Sequence, residues 1–98
     1  MKVLRKPIVF QWDKGNVDKN FKKHKVSDRE GEEVFFDKNK KISQDRPHSD
    51  KENRYILLGK TKKRRLIFTI FTIRKRKIRV ISSRDVNRRE RKLYEKTA

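Results

Sequence analysis

Three stretches in the second half of the chain have the pattern of apolar residues that is typical of β-strands. They are residues 54–59, 66–72 and 78–83. The middle stretch is apolar at positions that point to both sides of a strand, so we expect it to lie in the centre of a sheet. Short connections at residues 61–64 and 74–77 predict that the three strands form antiparallel hairpins.

The first part of the chain has weaker patterns. Residues 7–12 are hydrophobic at alternate positions, which predicts a strand. Asp13 belongs to the residue types that cap helix N-termini, and it precedes a predicted helix over residues 14–25. Val17 and Phe21 are spaced i, i+4 in that helix, so we expect them to share its apolar face.

A second helix is predicted to begin at Ser27. Ser27 and Glu30 have the spacing of a capping box, in which each side chain accepts a hydrogen bond from the backbone N–H of the other. Residues 34–36 form the apolar end of this helix. Residues 40–45 predict a short edge strand, and residues 46–53 predict a polar loop.

A third helix is predicted over residues 85–95, with Asp85 as its cap, directly after the strand at 78–83. These elements predict a single α+β domain over residues 1–98. A small antiparallel sheet packs against helices in this domain, in the order β-α-α-β-β-β-β-α.

The charge of the chain narrows the choice of partner. The chain has 31 Lys and Arg against 13 Asp and Glu, a net charge of +18, and residues 50–98 carry +13 of it. Self-repulsion destabilises so basic a domain, so we expect a nucleic acid or an acidic protein to bind it. No apolar run reaches the roughly 20 residues of a membrane-spanning helix, and residues 1–6 lack the apolar core of a signal peptide. The chain has no cysteine, and we expect a cytoplasmic protein without membrane association.

The first candidate site is the corner between the last strand and the last helix. Arg84 ends the strand, and Arg88 and Arg89 lie in the first turn of the helix. Guanidinium groups match the geometry of phosphate oxygens, so this corner is a candidate phosphate site. The same arginines can also pair with Glu90 and Glu95 on a solvated surface, and both interpretations stay open.

The second candidate site is the polar loop with His48 and Glu52, followed by Arg54. Cleavage of RNA needs a base for the 2′-hydroxyl, an acid for the leaving 5′-oxygen and positive charge on the transition state. His48 or Glu52 could move the proton, and Arg54 or Arg84 could supply the charge. The alternative is a hydrophilic loop without a function of its own.

Other residues add candidates for binding but none for a metal. The two histidines, His24 and His48, lack the spacing of metal ligands, so we expect no metal. Phe10 and Trp12 could stack on bases, although a place in the core is favoured. Tyr94 could contact RNA or stack on the sheet. The candidates for RNA binding are Arg88, Arg89, Lys22, Arg79 and Tyr94.

The order and spacing of several short segments resemble the BrnT family of ribonuclease toxins. The resemblance covers nearly the whole chain, and none of its segments is specific alone. The segments are residues 10–13, 20–27, 33–37, 53–59, 78–84, 88–90 and Tyr94.

This resemblance implies a RelE-like fold and an endoribonuclease that cleaves mRNA without a metal or other cofactor. In this hypothesis Arg84 stabilises charge in the transition state, Arg54 and Arg88 hold the flanking phosphate, and His48 or Glu52 moves a proton. The resemblance also implies a BrnA-like ribbon-helix-helix antitoxin, a toxin–antitoxin heterotetramer, and contact with operator DNA only through the antitoxin. A non-catalytic basic module that binds RNA or DNA is the alternative.

Overall fold

The computed structural model describes residues 3–96, so residues 1, 2, 97 and 98 of the predicted domain lie outside the described residues. The α+β prediction is confirmed: the strands form an antiparallel sheet in the order β1-β2-β3-β4, and β3 lies inside it as predicted. Two 3-10 turns, Val34–Phe36 and Arg46–His48, complete the regular structure of this part. The elements are α1 Lys19–His24, α2 Asp28–Glu33, β1 Lys41–Gln44, β2 Arg54–Lys60, β3 Leu66–Arg74, β4 Lys77–Asp85 and α3 Arg88–Glu95.

One face of the sheet, the core face, carries the main hydrophobic core. Leu57, Ile67, Phe71 and Val80 point to this face and are at most 1% exposed. They pack with residues of the turn after α2 and of the segment between α1 and α2, and partly buried residues of the segment before α1 pack against them. The helix α3 packs on the other face, the outer face, around Leu58, Leu66 and Tyr94. The sheet therefore separates two layers of helices.

Gly59 in β2 allows the turn after α2 to approach the core face closely. A Cβ atom at this position would lie 2.7 Å from the carbonyl oxygen of Val34. Because that oxygen belongs to the backbone, the contact could be relieved only by moving the turn away from the sheet.

The strand predicted at residues 7–12 is reduced to a single parallel bridge between Phe10 and Ile78. The amide of Gln11 donates to the carbonyl of Ile78 at 2.8 Å, and no regular ladder follows in the described chain. The side-chain amide of Asn16 donates to the next free carbonyl of that edge, Val80, at 3.2 Å, and so ends the pairing.

The predicted place of Phe10 and Trp12 in the core is confirmed. The rings of Phe10 and Phe35 meet edge to face, with centroids 5.2 Å apart. The indole nitrogen of Trp12 donates to Glu32 at 2.6 Å. Both aromatic residues are partly buried and pack against the hydrophobic core on the core face.

The first helix begins later than predicted, because Asp13 caps a turn and not a helix. The Asp13 carboxylate accepts a hydrogen bond from the amide of Gly15 at 2.7 Å. Residues 14–18 form turns, and Asp18 has a φ of 58°, which breaks the helical path. The predicted apolar face is also wrong: Val17 and Phe21 are 42% and 49% exposed.

The cap predicted for the second helix is confirmed, and the cap predicted for the third is wrong. Ser27 and Glu30 form the expected capping box at the start of α2. In the last helix Asn87, not Asp85, is the cap, and it forms a second capping box with Glu90. Asp85 still belongs to β4, where its carboxylate accepts a hydrogen bond from Arg65 at 2.7 Å. Between residues 3 and 96, no helix has the length and apolar character needed to cross a membrane.

Candidate functional site

Three of the predicted site arginines point to the outer face of the sheet. Arg54 and Arg79 lie there because they alternate with core residues along β2 and β4. Arg84 reaches the same face through a β-bulge: Val80 pairs with Phe71 but Ser82 pairs with Ile70, so Ile81 is an extra residue. Without this bulge Arg84 would share the core face with Val80, because the two residues are an even number apart.

The register places these arginines at two ends of the outer face. Arg54 and Arg79 are both paired with Thr72, whereas Arg84 is paired with Phe68, which is opposite Leu58. Four residues of strand separate the two rows, which corresponds to about 13 Å. We call the row of Arg54 and Arg79 the loop end and the row of Arg84 the helix end.

At the helix end, the guanidinium of Arg84 lies over an aromatic ring and forms an ion pair with a carboxylate. The centre of its guanidinium lies 4.0 Å from the ring centroid of Phe68. Its two terminal nitrogens donate to the two oxygens of Glu90 at 2.8 and 2.9 Å. This ion pair lowers the pKa of Glu90 below its ordinary value and raises that of Arg84. A guanidinium can bind a phosphate with the same bidentate geometry.

The other candidates on α3 differ in their exposure. Arg88 and Arg89 are exposed in the first turn of the helix. Tyr94 is only 6% exposed, and its hydroxyl donates to Asp37 at 2.5 Å. Burial and this hydrogen bond raise the pKa of Tyr94 to about 12. Tyr94 therefore packs against the sheet in this conformation and does not face solvent.

At the loop end, His48 is oriented by a buried carboxylate. Its Nδ1 lies 3.0 and 3.1 Å from the two oxygens of Asp45. The Asp45 side chain is 8% exposed, whereas the His48 side chain is 66% exposed. A carboxylate at Nδ1 favours the tautomer whose Nε2 can accept a proton. The loop is fixed beside Arg54, whose amide donates to the hydroxyl of Ser49 at 3.0 Å.

Two further ion pairs lie at the loop end. Arg74 donates to both oxygens of Glu52, at 2.9 and 3.0 Å. The hydrogen bonds from Arg74 lower the pKa of Glu52, which keeps this carboxylate ionised. Arg79 donates to both oxygens of Asp13, at 2.8 and 3.0 Å, and this lowers the pKa of Asp13.

The structure brings only part of the predicted catalytic set together. His48, Glu52 and Arg54 lie at the loop end, and Arg84 lies at the helix end, so the four side chains do not surround one atom. Lys22 is exposed on α1, a helix that contacts β4 through the hydrogen bond from the Ser83 amide to Asn20.

Two carboxylates of this surface, Asp45 and Glu90, are not among the site residues predicted from the sequence. Asp45 precedes His48 by three residues, a spacing that one turn of helix can bring together, and this was the available signal. Glu90 was considered only as a surface partner of the arginines. Within residues 3–96, no group of three or more His, Cys, Asp and Glu side chains is placed to hold a metal ion.

Comparison with known proteins identifies one protein family. A family model described as the ribonuclease toxin, BrnT, of a type II toxin–antitoxin system matches residues 12–90. The match includes all the elements from α1 to β4 and the first turn of α3. No curated protein matches the chain.

Proposed function

Because the chain belongs to the BrnT family of ribonuclease toxins from type II toxin–antitoxin systems, we propose that it is an endoribonuclease that cleaves mRNA without a metal ion. The observation that supports this chemistry best is the pair of Asp45 and His48 beside Arg54. An oriented imidazole can act as the base for the 2′-hydroxyl of the RNA, and a guanidinium can stabilise the negative charge that develops on the phosphate.

In the proposed reaction, Nε2 of His48 takes the proton of the 2′-hydroxyl. The 2′-oxygen then attacks the adjacent phosphorus, and the bond to the 5′-oxygen breaks, which leaves a 2′,3′-cyclic phosphate. The leaving 5′-oxygen receives its proton from water. Arg54 stabilises the negative charge of the transition state. Glu52 is not suited to donate a proton, because Arg74 keeps it ionised.

Arg84 contacts a different phosphate of the same RNA strand in this proposal. The helix end is about 13 Å from the loop end along the strands, and Phe68 and Glu90 hold the guanidinium of Arg84 at the helix end, so we assign it a different phosphate from the one beside Arg54. An RNA phosphate replaces Glu90 on the guanidinium of Arg84, and the exposed Arg88 and Arg89 add further positive charge beside it.

We further propose the cellular setting that the family suggests. The toxin acts in the cytoplasm, where a BrnA-like ribbon-helix-helix antitoxin neutralises it in a heterotetramer. Operator DNA is bound only through this antitoxin. Family membership supports an antitoxin partner, and the net charge of +18 supports an acidic contact surface on that partner.

A growth assay tests this proposal in cells. Induced expression of the wild type is expected to stop growth and to cleave cellular mRNA, and His48→Ala is expected to relieve both. Lys63→Ala, which removes one exposed charge from the hairpin between β2 and β3, is the control and is expected to retain most of the toxicity. Equal growth arrest by the wild type and His48→Ala would overturn the assignment of His48.

A further inference from the structure

A groove beside α3 lies next to the proposed RNA surface but has different chemistry. Its volume is about 480 Å³, and it runs between β1, the outer face and α3. Ile56, Leu58 and Phe68 form its floor, and Leu93 forms part of its wall. We propose that this apolar groove is where the antitoxin docks, with an apolar side chain carried on an acidic segment. The proposal rests on the toxin–antitoxin function given above.

The groove leaves apolar surface open to water. Leu93 is 53% exposed on the last turn of α3, although the neighbouring Tyr94 is buried. Arg89 lies one helical turn before Leu93 and lines the same groove, so the groove has a charged residue beside an apolar wall. An open apolar groove with a polar rim is typical of a surface that another protein covers.

The lining of the groove fits an apolar protein side chain better than a nucleobase. A nucleobase is bound by stacking on an open aromatic ring, and Phe68 is the one aromatic residue in the described lining of the groove. The ring of Phe68 is already covered by the guanidinium of Arg84 at 4.0 Å. The remaining floor is aliphatic, which favours an apolar protein side chain over a base.

The basic residues beside the groove would be complementary in charge to an acidic partner segment. Lys41 and Arg89 lie on the rim of the groove, and the chain as a whole has a net charge of +18. A segment with acidic residues on both sides of its apolar anchor would pair with this rim. Glu90, the partner of Arg84, also lines the groove, so a bound segment would cover the helix end and exclude RNA from it.

The experiment measures binding and cleavage in the same set of variants. The probe is the purified protein encoded by the reading frame next to the toxin gene. Leu93→Asp places a charge in the groove, and Leu93→Ala removes the apolar wall while it keeps a good helix former. Val17→Asp is the matched control, because Val17 is also an exposed apolar residue, at 42%, and does not line the groove. Thermal unfolding of each variant shows that it is folded.

The proposal predicts that Leu93→Asp weakens antitoxin binding by about 10-fold or more, and Leu93→Ala by a smaller factor. RNA cleavage by both variants and antitoxin binding by Val17→Asp are expected to stay at the wild-type level. Wild-type antitoxin binding by Leu93→Asp would overturn the proposal. Loss of RNA cleavage with antitoxin binding intact would also overturn it and assign the groove to RNA. The binding measurement tests the role of the groove even if the wild type does not cleave RNA.

Discussion

At the scale of single residues, basic side chains that look alike in the sequence have different tasks. Arg65 lies in a run of four basic residues at 62–65, yet it is held by two carboxylates and two carbonyl oxygens. It links Asp85 at the end of β4 to Glu30 of α2. The exposed Lys63 is two positions away in the same hairpin. The sequence alone cannot separate these residues, because the partners of Arg65 are 20 to 41 positions away.

Replacement of Arg65 by methionine is expected to destabilise the protein. The substitution keeps most of the side-chain volume but removes the guanidinium that donates to Glu30, Asp85 and two carbonyl oxygens, which we expect to cost about 1–2 kcal/mol. Urea unfolding measures this change in the free energy of unfolding. Lys63→Met is the control and is expected to change the free energy by less than about 0.5 kcal/mol. Equal stability of the two variants would contradict the role assigned to Arg65.

Replacement of Asp45 by asparagine is expected to impair cleavage and to spare binding. The amide no longer fixes the tautomer of His48, so we expect the rate of RNA cleavage to fall by about 10-fold or more. The Kd for RNA is expected to remain within about 2-fold of the wild type, because Asp45 is buried behind His48. Single-turnover cleavage and a binding titration measure the two quantities. An unchanged cleavage rate would show that His48 needs no orientation.

At the scale of elements, the sequence predicts what depends on local patterns. The strands β2, β3 and β4 were found because apolar residues mark both hairpins and the buried central strand. The bulge at Ile81 was not found, because two serines follow it and the alternation of apolar residues stops there. The limited pairing of residues 7–12 was also missed, because it depends on a hydrogen bond from Asn16 to β4.

The hairpin between β3 and β4 has a turn that its residues do not favour. Lys75 and Arg76 have φ values of 50° and 68°, the left-handed region that two-residue hairpin turns usually fill with Asn-Gly. Lys75→Asn combined with Arg76→Gly is expected to stabilise the protein by about 1 kcal/mol. Thermal unfolding measures this. Lys62→Asn combined with Lys63→Gly is the control, because it removes the same charge from the other hairpin. A similar gain in stability there would show that the left-handed backbone at Lys75 and Arg76 is not the cause.

At the scale of the whole molecule, carboxylates compensate part of a large positive charge. Pairing with arginine lowers the pKa values of Glu52, Asp85 and Glu90 below the ordinary values of 3.8 for Asp and 4.5 for Glu. The composition predicted an anionic partner but not these internal pairs. They occur between residues that only the folded chain brings together, and the pair with Glu90 occupies Arg84, which is proposed to bind RNA.

These pairs predict how stability depends on pH. Each carboxylate has a lower pKa in the folded than in the unfolded state, so its contribution is complete above the unfolded value, about 4–4.5. As the pH falls through the lower folded values, the contribution is lost. We therefore expect Tm to decrease steeply between about pH 5 and pH 3. The Tm of Arg65→Met is expected to decrease less steeply, because Glu30 and Asp85 no longer pair with a guanidinium in this variant. Parallel curves for the two proteins would contradict this account.

The most direct test of the proposed function is incubation of the purified protein with a defined RNA in EDTA, followed by analysis of the product ends. The account predicts internal cleavage by the wild type, with 2′,3′-cyclic phosphate and 5′-hydroxyl ends, and no cleavage by His48→Ala that still binds the RNA. Cleavage that EDTA abolishes, or equal cleavage by His48→Ala, would contradict the account.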